Sequence, residues 1–123
     1  MEFEPLSNKI IGAAIEVHKI LGPGMLESAY EECMVYELVQ QGVKVERQKL
    51  MPLVYKKIEL DYGYRVDLII ENQIIVELKT VDVLLPVHQA QILTYLRFTG
   101  IKVGLLINFN VTVLKQGIKR FVL

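Results

Sequence analysis

Cysteine is almost missing from this chain: Cys33 stands alone among 123 residues. One thiol cannot build an intrachain disulfide framework, and it fits a reducing, cytosolic setting. Net charge is missing as well, because 14 basic residues balance 14 acidic ones. That argues against the broad basic surface of a non-specific nucleic-acid binder, though not against a local basic groove. Lys115, Lys119 and Arg120, with Arg97 and Lys102, are the candidates for such a groove. Short charge blocks of this kind are more often a solvated surface. No apolar run approaches the roughly 18–20 residues of a membrane span. The acidic start, Met1-Glu2-Phe3-Glu4-Pro5, lacks the basic-then-apolar form of a secretory signal. Internal repeats, low-complexity tracts and linkers are also absent. What remains is ordinary globular composition, 52% apolar and 23% charged. The length predicts one domain over residues 1–123.

Helical and extended patterns alternate along the chain. Ser7 can cap a first helix through about residue 20, with Ile10, Ile11, Ala14, Val17, His18 and Leu21 on or near one face. Leu21-Gly-Pro-Gly24 breaks it. A second helix, roughly Leu26 to Gln41, stops at Gly42, where a left-handed cap is expected. Extended segments follow at about 43–49 and 52–56, with a turn near Lys57-Ile58. Pro86 suits the first turn of a third helix that ends before Gly100. Residues 103–109 read as a buried strand and 117–122 as a last one. The order predicts a mixed sheet flanked by helices, of the α/β or α+β kind.

The most informative stretch is 61–80. Two runs rich in β-branched residues flank Glu71-Asn72-Gln73 and read as a β-hairpin. A three-residue loop places Ile70 opposite Ile74, and therefore Asp67 opposite Glu77. Side chains alternate along a strand, so Glu77 and Lys79 share a face. Two carboxylates and an ammonium then converge on a mostly apolar sheet, which is costly unless they pair or bind a metal. Glu77-Leu78-Lys79 is the one acidic-x-Lys triplet in the chain. In the third helix His88, Gln91 and Tyr95, at i, i+3 and i+7, share a face. One reading of the charges is structural, a salt-bridge cluster among Asp67, Glu77, Lys79 and Arg65.

The hairpin resembles the core of the PD-(D/E)xK nuclease superfamily, with Asp67 as the first acid and Glu77-x-Lys79 as the second motif. Val66 stands where a proline usually precedes the first acid. Gln91-x-x-x-Tyr95 resembles the RecB-type branch of that superfamily. Gly24-x-x-Glu27-x-x-Tyr30 matches the signature of the GxxExxY protein family within it. The likeness continues through Tyr64–Leu68, Val76–Lys79, Pro86–Gln91 and Gly104–Phe109.

The resemblance implies a restriction-endonuclease-like core and metal-dependent hydrolysis of phosphodiester bonds in nucleic acid, DNA ahead of RNA. It implies Asp67, Glu77, Lys79 and Gln91 as the catalytic set. Asp67, Glu77, the Leu78 carbonyl and Glu27 would hold Mg2+ or Mn2+, hard ions that prefer oxygen ligands. Arg65, Tyr95 and His88 would contact substrate. So small a chain leaves room for a homodimer or a partner protein in target recognition. The competing implication is a catalytically inactive nuclease fold that binds nucleic acid or protein, since fold does not guarantee function.

Overall fold

Pro5, rather than Ser7, opens the first helix. The computed structural model describes residues 4–123, and α1 runs Pro5–Leu21 with Glu4 as its N-cap residue. Proline has no N–H to leave orphaned, and its fixed φ suits the first helical position. Ser7 lies inside the helix, fully buried, and its hydroxyl donates to the Glu4 carboxylate. The beginning of the acidic N-terminus, residues 1–3, lies outside the described residues. After the Gly-Pro-Gly break comes α2, Glu27–Gln40, followed by Gly42 at a left-handed φ of 74°.

The strands are β1 (Val45–Tyr55), β2 (Ile58–Ile70), β3 (Ile74–Lys79), β4 (Val103–Asn108) and β5 (Ile118–Val122). Helix α3, Pro86–Thr99, lies between β3 and β4, and a 3₁₀ turn, Leu114–Gly117, precedes β5. The extended segments expected at 43–49 and 52–56 are one strand. Pro52 does not break it, because β1 is a sheet edge and its register with β2 shifts between Met51 and Leu53.

The sheet order follows the chain, β1-β2-β3-β4-β5. Every neighbouring pair is antiparallel except β3 and β4, which are parallel. A parallel pair needs a crossover, and α3 supplies it. Helices α1 and α2 cover one face, where Ile10, Val17, Met34 and Leu38 pack with Leu68, Val76, Leu105 and Ile107. On the other face Ile92 and Leu96 of α3 pack with Ile69, Ile75 and Leu106. Central β3 is buried from Ile74 to Leu78, as its near-continuous apolar run requires. Among the described residues no helix is long and apolar enough to cross a membrane.

Two features of this frame bear on the site. Val66 packs on the α3 side, whereas Leu68, two residues on, packs on the α1/α2 side. Regular alternation would put them together, so the faces of β2 exchange at Asp67. The second feature is Gly117, where an added Cβ would lie 2.2 Å from the backbone oxygen of Asn108. Backbone cannot swing aside, so Gly117→Ala is expected to cost about 1–3 kcal/mol in stability, as overpacking does. Denaturant unfolding with an unchanged m-value would check this.

Candidate active site

The hairpin forms with the register its loop length predicts. Ile70 pairs with Ile74, Ile69 with Ile75 and Leu68 with Val76, and the ladder stops there. At the next step side chains take over from backbone. The Asp67 N–H donates to Glu77 Oε2 at 2.8 Å, and the Leu78 N–H donates to Asp67 Oδ2 at 2.9 Å. Each acid thus holds the opposite strand by one carboxylate oxygen, which fixes the two carboxylates beside each other. Glu77 Oε1 takes no hydrogen bond among the described residues.

On the other side of β2, Gln48 faces Asp67 between the pairs Arg47–Leu68 and Lys49–Val66. Its φ is 49°, in the left-handed region that a non-glycine residue rarely adopts. Its amide donates to the Glu31 carboxylate and lies 3.4 Å from Asp67 Oδ1. Glu31 is itself anchored by Arg47, 2.9 Å away, which also meets Glu32 at 2.7 Å. Sequence reasoning passed over Gln48, Glu31 and Arg47.

The acids open into a cleft of about 380 Å³. Asp67, Glu77, Lys79, Glu27, Gln91, Tyr95 and Arg65 all line it, so the structure gathers seven of the residues singled out by sequence. Leu50, Tyr62 and Tyr64 complete the lining and were not foreseen as site residues. Lys79 Nζ lies 3.5 Å from Gln91 Oε1, at the outer limit of a hydrogen bond. The Tyr95 ring stacks on Tyr64 with centroids 5.0 Å apart.

Leu78 contributes only backbone, since its side chain is buried under α1 and α2. His88 is not in the cleft lining. Its Nδ1 accepts the Leu85 N–H at 2.9 Å, so the ring closes the N-terminus of α3. Its i, i+3 spacing to Gln91 is real, but the local backbone donor captures it. The C-terminal basic residues do not line the cleft either, and Arg120 pairs with Glu4 at 2.5 Å.

Glu27 owes its place to the rest of its motif. Tyr30 is fully buried, with its ring stacked on Phe109 at 4.3 Å. Its hydroxyl donates to the Gly22 carbonyl at 2.5 Å and accepts the Met25 N–H at 3.1 Å. The tyrosine therefore ties down the loop that starts α2, and Glu27 is the first residue of that helix.

The electrostatics are those of uncompensated acids. Burial, and then the Asp67 charge, push the Glu77 carboxyl up to about 8, against 4.5 for an ordinary glutamate. Burial also raises Asp67, opposed by the Leu78 N–H and by Lys79. Desolvation and the Asp67 charge raise Glu27. Burial and Glu77 raise Tyr95. None of Asp67, Glu77, Lys79 or Arg65 forms an ion pair among the described residues. The salt-bridge cluster among these four is therefore not what the structure contains.

Among the described residues no group of three or more His, Cys, Asp or Glu side chains is arranged to hold a metal ion. Glu27 lines the cleft without completing such a group. The Asp67–Glu77 pair still fits a hard divalent cation. Both are oxygen donors, Glu77 keeps an oxygen without a protein donor among the described residues, and the Asp67 charge raises the affinity of Glu77 for positive charge.

A mixed sheet flanked by three helices, with an acid on one hairpin strand and Glu-x-Lys on the next, defines a restriction-endonuclease-like fold of the nuclease class. The family described as the PD-(D/E)XK nuclease superfamily matches residues 4–121. The chain belongs to that superfamily, whose nucleases generally use Mg2+ or Mn2+. No curated protein and no solved structure matched in the other two comparisons.

Proposed function

We propose that the chain is an active metal-dependent nuclease of the GxxExxY branch, hydrolysing nucleic acid, DNA in preference to RNA, in the cytoplasm. The observation that carries the reading is a pair of carboxylates, buried Glu77 and half-buried Asp67, held side by side by backbone N–H groups at the floor of an open cleft. Without a cation such a pair is an electrostatic cost, and no ion pair among the described residues offsets it. The zero net charge favours a non-catalytic binding domain, but such a domain gains nothing from keeping that cost.

Asp67 and Glu77, with Glu27 and the Leu78 carbonyl as further oxygen donors, would hold Mg2+ or Mn2+, which supplies charge neutralisation and a water of lowered pKa. The remaining roles fall to the chain's own groups. Lys79, on the face of Glu77, faces charge that develops on the phosphate and orients the attacking water. Gln91 holds the Lys79 ammonium toward the cleft, at the 3.5 Å distance seen here. Arg65 receives a non-bridging phosphate oxygen. Tyr95, stacked on Tyr64, walls the strand in place. His88 acts at one remove, by fixing the start of the helix that carries Gln91 and Tyr95. A second copy or a partner protein supplies target choice.

The test is cleavage of end-labelled single-stranded DNA, duplex DNA and RNA with Mg2+, with Mn2+ and with chelator. Cleavage is expected with either metal and none with chelator, DNA being cut faster than RNA. No cleavage of any substrate at millimolar metal would leave a binding domain on a nuclease fold.

A further inference from the structure

Beyond the cleft, β1 and β2 continue as a ribbon that no third strand joins among the described residues. Pairing of β2 with β3 ends at Leu68, whereas pairing with β1 runs on to Tyr55–Ile58. Seven residues therefore separate Arg65, on the cleft wall, from the tip. At about 3.3 Å per residue the ribbon projects roughly 20 Å past Arg65, the length of about six stacked nucleotides.

Its surface is unusual for a solvated hairpin. Tyr62 lines the cleft mouth and is 73% exposed, and Tyr55 at the tip is 59% exposed. Lys56 and Lys57 form the turn, and the Lys56 ammonium stands 5.4 Å from the centre of the Tyr55 ring. Exposed aromatics interleaved with cations are the elements of a stacking platform for unpaired bases. Lys49 is paired with Glu46 at 2.6 Å, and beyond that pair the ribbon carries Lys56, Lys57 and Arg65 against Glu59 and Asp61. It is thus a positive segment in a chain of zero net charge, and it runs straight into the site.

We propose that this ribbon is a nucleic-acid arm, gripping a strand with unpaired bases on one side of the cleft. Tyr62 stacks on the base that leaves the cleft, while Tyr55 and the two tip lysines hold the following bases and phosphates. The proposal rests on the nuclease reading for what the cleft does to the strand. Charge complementarity and continuity with the cleft favour a polyanion over a second protein copy as the occupant.

The variant Tyr55→Ala with Lys56→Glu and Lys57→Glu alters the tip alone, and none of the three residues lines the cleft. Four readouts are needed on the full chain: affinity for a 15-nucleotide single strand across a range of salt, hydrolysis of bis(p-nitrophenyl) phosphate with Mn2+, mass in solution, and melting temperature. The expected result is at least tenfold weaker oligonucleotide binding. The salt slope should flatten by one to two charges, with hydrolysis of the small ester and the melting temperature unchanged. Unchanged oligonucleotide affinity, or no affinity in the parent, would overturn the arm. So would a parent dimer that the tip substitutions dissolve. A parent that binds the strand through the arm yet hydrolyses neither substrate would uphold the arm and overturn the cleavage reading.

Discussion

Replacing Glu77 by glutamine is expected to stabilise the metal-free protein at neutral pH and to abolish cleavage. Glu77 is 3% exposed, and burial beside Asp67 lifts its carboxyl to about 8. Below the ordinary glutamate value of 4.5 both folded and unfolded chains carry the proton, and the group has no pH-dependent effect. Between 4.5 and 8 the folded chain keeps a proton that the unfolded chain releases. Stability therefore falls as pH rises through that window, by up to about 1.4 kcal/mol per pH unit. Glutamine does not titrate, and its amide oxygen can still accept the Asp67 N–H. The advantage of Glu77→Gln should be near zero at pH 4 and reach a few kcal/mol by pH 8. Thermal unfolding across that range, with chelator present, reads it directly. A variant less stable than the parent at pH 8 would mean that the carboxylate is a structural partner, and would remove the main support for a metal site.

The same geometry explains what could be read from the sequence and what could not. Asp67, Glu77 and Lys79 were legible because a three-residue loop fixes the register of one hairpin, and strand parity does the rest. Gln91 and Tyr95 followed from helical spacing together with the likeness of Gln91-x-x-x-Tyr95 to the RecB-type branch. Gln48 was hidden by a register shift. Counted from the Lys56-Lys57 turn, where Tyr55 pairs with Ile58, Gln48 would face Arg65. The irregularity near Pro52 moves the register by two, and Gln48 comes to face Asp67 instead. Nothing local announces that shift. His88 misled for a related reason: helical spacing gives the face but not the competing backbone donor at Leu85. Ser7 misled because proline outranked it as a helix start. The ribbon was illegible because its separation from β3 depends on where the faces of β2 exchange, at Asp67.

Asp67→Asn is expected to lose metal binding and to slow cleavage by 10²–10³-fold or more, the range seen when one preorganised electrostatic contributor is removed. The fold should survive, because the asparagine oxygen can still accept the Leu78 N–H that Asp67 Oδ2 holds at 2.9 Å. What disappears is the negative charge, with two consequences. The site loses one of its two carboxylate donors, so a hard dication has little reason to leave water. Glu77 also loses the neighbour that helps raise it, so its carboxyl ionises at lower pH than in the parent. Calorimetry distinguishes the two effects. In the parent at pH 7, Mg2+ or Mn2+ should bind with release of up to one proton, since Glu77 holds one there, and the measured heat should change with the ionisation enthalpy of the buffer. In Asp67→Asn the binding heat should vanish while the melting temperature holds or rises. The titration is then repeated with a short oligonucleotide present, since phosphate oxygens complete many such sites. Equal metal affinity and equal cleavage in parent and variant would place the chemistry elsewhere, because among the described residues the only other acid lining the cleft is the exposed Glu27.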